Sequence, residues 1–274
     1  MVHRHWAALR ALLVFTVILG IGYPLLIWLV AHLPGLHAQA EGSIIRVDGK
    51  PVGSLLIGQS FTDAAGQPLP QYLQSRPSSD GYDPMASGGS NLGPESVVDT
   101  PARPSLLTLV CSRSKAVGEL EGVDGSRPFC TPGGVGAVLS VIGPRDARGN
   151  VVHPGRVVSV NEPCATAHQP FLAVYAGVRV ECARFGEDYS IGQIVPIHGA
   201  APHNPAVPAD AITASGSGLD PDISLAYADV QVARVARARN VTAEKIRDIV
   251  RAHSNGRLFG LFGEPRVNVV ALNV

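Results

Sequence analysis

The sequence predicts an α+β protein held by one N-terminal transmembrane helix, and three observations carry that prediction. An uncharged apolar run covers Ala11–Ala31, short β-type runs separated by Gly and Pro fill the middle of the chain, and helical periodicity returns only after about Ala206. The body after the helix is expected to hold a mainly antiparallel sheet, a β-rich insertion and two C-terminal helices. The 274 residues suffice for one sizeable domain or two small ones, and a hydrophobic fraction of 46% supports a packed core. Lys and Arg number 22 against 22 Asp and Glu. That balance lacks the clustered basic excess of a nucleic-acid surface, and the composition is too apolar for a disordered chain.

Residues 1–10 read as a short cytoplasmic N-terminus and residues 11–33 as the transmembrane helix. At about 1.5 Å of rise per residue, Ala11–Ala31 can cross a hydrocarbon core of about 30 Å. Pro24 lies inside the span and removes a backbone donor, which predicts a kink. Trp6 and Trp28 stand near the two ends, where indole rings favour the lipid–water boundary. A cleaved signal peptide is the competing reading, because Ala38-Gln-Ala40 resembles a processing site; the apolar run is longer than the core of such peptides. Arg4 and Arg10 precede the span and Glu41 is the first charge after it. The positive-inside tendency then leaves residues 42–274 on the extracytoplasmic side. Gly20 and Gly22 offer small surfaces for helix packing.

Three segments follow. Residues 42–103 contain a strand candidate at Ser54–Ile57 and then a Gly-, Ser- and Pro-rich stretch from Arg76. Residues 104–201 carry strand candidates at Leu106–Val110, Val135–Ile142, Arg156–Val160, Phe171–Tyr175 and Val178–Glu181, punctuated as small antiparallel hairpins. All four cysteines, Cys111, Cys130, Cys164 and Cys182, fall in this segment, an even number suited to an oxidising compartment. Four cysteines allow three pairings, and the sequence does not choose among them. Cys111–Cys130 and Cys164–Cys182 would each close a compact loop, stabilising by roughly 3 kcal/mol in the loop-entropy account. Zinc binding is the rival use, but no Cys-x-x-Cys spacing occurs.

From Ala206 the signals turn helical. Asp220 reads as an N-cap with Pro221 at the first helical position, followed by Ile223, Tyr227 and Val230 at helical spacing. Thr242 caps a second helix with Glu244 in its first turn and Ile246, Ile249, Val250 and His253 on its apolar face, ended by Asn255-Gly256. The closing Val267–Val274 reads as a strand. Arg234, Arg237, Arg239, Arg247 and Arg251 make this segment basic, as a solvated face or as a surface for acidic partner loops.

Two runs carry what chemistry the chain offers. Ser87, Gly88, Gly89, Ser90, Asn91 and Gly93 form a turn-rich cluster that serves either as a plain structural turn or as a backbone-exposing contact for a partner. Ser215, Gly216, Ser217, Gly218 and Asp220 form a glycine-rich turn before a helix start. Its phosphate-binding reading is weakened by the lack of a nearby lysine and by Asp220 and Asp222, so a capped helix start is the stronger one. The sequence holds no Asp-Lys-Thr-Gly, no P-loop and no Gly-x-Ser-x-Gly, which assigns any ATP hydrolysis to another polypeptide. The nine histidines are scattered, and no metal site is expected.

Together with Gly53–Gln59 and Gly263-Glu-Pro-Arg-Val-Asn268 (Gly263, Glu264 and Asn268 among its candidate contact residues), these two runs resemble, in order, the KdpC family. This is the small subunit of the bacterial Kdp potassium pump, a P-type ATPase complex. The resemblance covers roughly Gly42–Arg103 and Ala206–Val274. It implies a non-catalytic accessory subunit that stabilises the pump and promotes ATP binding by the catalytic subunit, as a catalytic chaperone. The implied partners are a channel-like potassium-binding subunit and an ATP-hydrolysing subunit, with membrane lipid around the helix and no nucleic acid. No cofactor is expected to bind tightly; ATP and potassium enter through the complex. Shorter family members pass more directly between the matching regions, so residues 104–201 read as an insertion of the kind found in longer, actinobacterial-type relatives. The alternatives are a membrane-tethered extracytoplasmic hydrolase using Ser90 or Ser217, which lacks a matched base, and a free-standing binding protein.

Overall fold

In the computed structural model, which describes residues 2–167 and 169–274, the chain divides into two compact units, residues 1–57 with Val274, and residues 58–273. The first unit begins with α1 (Val2–Val17), one π-helical turn (Ile18–Gly22) and α2 (Tyr23–Ala31). Together they include the 29-residue helix His3–Ala31, which among the described residues is the one helix long and apolar enough to cross a membrane. Its side chains are exposed from His3 to Val30, as lipid-facing residues would be. The irregularity expected from Pro24 is taken up as the π turn just before it, where the Tyr23 amide donates to the Ile18 carbonyl. After the short α3 (His37–Ala40), β1 (Ile44–Val47) and β2 (Lys50–Ser54) form an antiparallel hairpin. Both of its turn residues, Asp48 and Gly49, have positive φ, the geometry that matches strand twist. The strand expected at Ser54–Ile57 therefore sits earlier in the chain.

The second unit holds two apolar cores. The first gathers around α5 (Leu225–Arg239) and α6 (Ala243–Ala252) and the three-stranded sheet of β8 (Asp222–Ser224), β9 (Ser254–Asn255) and β10 (Arg266–Asn268), in the order β8-β10-β9. Val232, Val235, Ile246, Val267 and Val269 fill it, and Leu73 reaches it from the irregular stretch that precedes α4 (Leu106–Glu121). The second core lies in a five-stranded sheet of order β5-β6-β4-β3-β7, formed by β3 (Val138–Ile142), β4 (Arg156–Pro163), β5 (Val174–Tyr175), β6 (Val178–Ala183) and β7 (Gln193–Pro196). Leu139, Val141, Val157 and Val180 are its buried centre. The β4–β6 pairing is parallel, and the other three pairings in this sheet are antiparallel.

Three expectations are corrected. Leu106–Val110 is the start of a 16-residue helix, α4, so helix is not confined to the C-terminal segment. Ser105 caps it by accepting from the Thr108 amide, and Gly122 ends it in the left-handed conformation. The strand-like look of Leu106–Val110 is outweighed by caps that bracket sixteen residues. Asp220 and Pro221 do not open α5; β8 intervenes because β10 needs a partner, and Ser224 caps the helix, accepting from the Tyr227 amide at 3.0 Å. The chain does not close as a strand to Val274 either. After Asn268 it turns into α7 (Val269–Asn273), with the Asn268 side chain accepting from the Ala271 amide at 2.9 Å. The helix capped by Thr242 forms as read and ends at Ala252, and Asn255 then belongs to β9.

Arg234, read within a solvated or docking basic face, is instead buried. Its guanidinium meets Glu121 at 3.0 Å, with side chains 7% and 1% exposed, and so ties α5 to α4. It also donates to the carbonyls of Pro70 and Tyr72. Burial pushes the Glu121 carboxyl above its usual range, against the pull of Arg234. Breaking a buried pair strands one charge, so Arg234→Ala is expected to destabilise the chain by about 3–5 kcal/mol in thermal or urea unfolding. Arg247→Ala, which removes an exposed pair with Asp229, should cost less than about 1 kcal/mol. The raised Glu121 value stabilises the fold below the ordinary carboxylate range, and that contribution is lost as pH rises through the shifted value. Glu121→Gln should therefore flatten the fall in stability just above that range.

Candidate functional site

The two glycine- and serine-rich runs, more than a hundred residues apart in sequence, lie against each other. The Gly88 amide donates to the Ser217 carbonyl at 2.9 Å, and the Ser87 hydroxyl donates to the same oxygen at 2.9 Å. Chain ahead of the first run completes the junction. Ser78 Oγ donates to the Gly218 carbonyl at 2.8 Å, the Ser215 amide to the Pro77 carbonyl at 2.9 Å, and the Gly58 amide to the Leu219 carbonyl at 2.8 Å. Arg76 pairs with Asp220 at 2.9 Å and also reaches the Thr213 carbonyl. These are almost all contacts to backbone carbonyls, which is how an irregular loop is held without a strand ladder.

Close approach explains the glycines. A Cβ at Gly58 would collide with the Tyr82 ring and stand 2.6 Å from the Asp220 carbonyl; one at Gly89 would stand 3.0 Å from the Gly216 carbonyl. Gly216 itself faces open space. Tyr82 is buried beneath the junction and donates its hydroxyl to the Arg76 carbonyl at 2.6 Å. Burial, with a smaller push from Asp220, raises its phenol to about 12, which keeps it a donor at any physiological pH. Among the described residues, Asp80 Oδ2 is buried with no hydrogen-bond partner. A cleft of about 600 Å³ flanks the junction, lined among others by Arg76, Ser78, Tyr82, Arg113 and Tyr227.

The remaining candidates distribute as follows. Asn91 is exposed with φ 52°, Ser90 is half-buried, and the Gly93 carbonyl accepts from the Ser96 amide. Ser217 Oγ donates to Asp220 Oδ1 at 3.3 Å and accepts from the Leu219 amide, so its hydroxyl serves the turn rather than a nucleophile's geometry. Glu264 pairs with Arg257 at 2.8 Å, away from the loop junction, while Asn268 sits opposite Asp222 in β10. Cys111 is joined to Cys130 and Cys164 to Cys182, with Cα separations of 5.4 and 5.0 Å. The second bridge fastens the end of β4 to β6, where the chain must return to pair in parallel. Among the described residues, no group of three or more His, Cys, Asp and Glu side chains is placed to hold a metal ion. Arg76, Ser78 and Tyr82 escaped the sequence reading; a lone arginine in a Ser-, Gly- and Pro-rich stretch was the available signal.

An apolar span followed by a mixed α/β body, with loops from its two ends interlocked, fits the class of single-pass membrane proteins. A family model described as K+-transporting ATPase, c chain (KdpC) matches residues 5–114 and 191–274. A potassium-transporting ATPase KdpC subunit of Gemmatimonas aurantiaca is 37% identical over 97% of this chain and 90% of its own length. Those of Kineococcus radiotolerans and Methylococcus capsulatus are each 34% identical, over 97% and 100% of this chain and 89% and 97% of their own. The chain belongs to the KdpC family, and so to the subunits of the potassium-transporting Kdp ATPase. The family model leaves residues 115–190 unmatched, a stretch that begins inside α4 and includes β3 to β6.

If the glycines are set by close approach, Gly58→Ala should lower stability by about 1–3 kcal/mol through overpacking, whereas Gly216→Ala should leave it unchanged. Thermal unfolding of the two full-length variants decides; equal midpoints would contradict the junction as described.

Proposed function

We propose that this subunit acts as an anchored cap on the pump. Its helix packs among partner membrane helices, its body lies on the extracytoplasmic side over the potassium entrance, and it promotes ATP binding by the ATP-hydrolysing subunit without hydrolysing ATP itself. The observation that carries this reading is the interlocked junction. Segments at both ends of the body meet through backbone hydrogen bonds, which suits a preformed docking surface more than a reaction centre. The basic flank of Arg4 and Arg10 supports the orientation.

That orientation separates the body from cytosolic ATP, so the influence on nucleotide binding must be indirect. It passes through the membrane helix, whose contacts would differ between two states of the catalytic subunit. Gly20 and Gly22 lie in the π turn, and two positions apart they face different directions. One of them therefore contributes to a given helix contact. A Cβ at either meets nothing closer than 3.7 Å within the chain, so the single substitutions Gly20→Leu and Gly22→Leu test packing against partners rather than folding.

Reconstitution of the pump with and without this chain tests the proposal. Omission should raise the ATP concentration needed for half-maximal potassium-stimulated hydrolysis, and one of the two glycine variants should reproduce the loss by failing to copurify. Unchanged ATP dependence without the chain would remove the chaperone role. Assembly of both leucine variants at full yield would remove the helix contact.

A further inference from the structure

Between β9 and β10 the chain carries Arg257-Leu258-Phe259-Gly260-Leu261-Phe262-Gly263-Glu264, a small hairpin whose tip is apolar on every side. Leu258, Phe259, Leu261 and Phe262 are 63%, 83%, 77% and 66% exposed. Elsewhere in the second unit, exposed large apolar residues such as Met85, Phe185 and Ile191 stand singly, which is ordinary; four within five positions is not. From Leu258 to Gly263 there is no charge, and the root is closed by the Arg257–Glu264 pair at 2.8 Å and the Arg266–Asp222 pair at 2.8 Å.

We propose that this tip enters the lipid–water boundary of the bilayer that the chain's own helix spans, as a second and shallow attachment. Three features favour lipid over a protein socket. Both arms and the apex expose their apolar groups, whereas a protein interface draws on one face. The tip satisfies much of its own backbone: Leu258 and Phe262 exchange bonds at 2.8 and 3.0 Å, and the Gly260 and Leu261 amides donate back to Arg257 and Leu258. An element leaving water for hydrocarbon must do this. The polarity is also zoned by depth. The charges of Arg257 and Glu264 stand at the root and the uncharged Leu258–Gly263 at the tip, the order in which interfacial elements place polar and apolar groups.

The test uses the full-length chain in lipid nanodiscs, alone and in the assembled pump. All four native cysteines are paired, so Phe259→Cys offers a single thiol for an environment-sensitive dye, and Arg148→Cys on the exposed 146–149 turn is the control. The label at position 259 should emit at shorter wavelength than the control. It should be quenched by lipids carrying a nitroxide near the headgroup, more than by lipids labelled deep in the chain, and equally in both preparations. Leu261→Glu on the same background should abolish the quenching while the thermal transition is retained. Absence of quenching in both preparations overturns the proposal. So does a spectral shift that appears only with the other subunits and without quenching, which would assign the tip to a protein socket.

Discussion

A buried peptide group that loses its water must find another partner, and in residues 58–104 regular structure does not supply one. Among the described residues this stretch shows only the isolated bridges Thr62–Pro68 and Thr100–Arg103. Up to Gly88 many of its partners are side chains and loops of the C-terminal part, while Asn161 of β4 holds Val97 and Asp99. Gln231, fully buried in α5, accepts from the Gln74 amide at 2.6 Å and donates to the Gln74 carbonyl at 3.1 Å; Asn273 in α7 does the same for Leu73, at 2.9 and 2.8 Å. Arg234 holds the carbonyls of Pro70 and Tyr72, and Ser224, which caps α5, is itself fixed by Asp210. Such amide-for-peptide exchanges act as short substitutes for a ladder.

The family's matching regions flank a stretch that the family model leaves unmatched. The ends of the body depend on each other for hydrogen bonds, whereas β3 to β6 carry their own core and their own Cys164–Cys182 bridge. Material can be added between interlocked ends at low entropic cost. The other bridge, Cys111–Cys130, ties α4 to the unmatched stretch.

Local signals made part of this legible. The apolar span, the Thr242 cap and the Gly-punctuated strands of the middle segment are encoded within windows of five to thirty residues. α4 is also encoded locally, by Ser105 and Gly122, although Leu106–Val110 by itself fits a strand pattern equally well. β8 was not: only the presence of β10 makes Asp222–Ser224 extended. From their own residues the two glycine-rich runs read as a turn and a helix start, and the family resemblance gives their order but not their contact. Their meeting rests on carbonyl oxygens, which every residue type possesses, so no spacing announces it. Arg76, Ser78 and Tyr82 were hidden for the same reason.

The most direct test of this dependence is amide hydrogen exchange on the full-length chain in nanodiscs, read at Gly58, Leu73, Gln74, Gly88 and Ser215. The account predicts protection comparable to that of α5, lost together at Leu73 and Gln74 when Gln231 is replaced by Leu. Exchange at those five amides as fast as in the exposed turn at 146–149, with α5 still protected, would show that the irregular stretch is not held by the C-terminal part and would contradict the account.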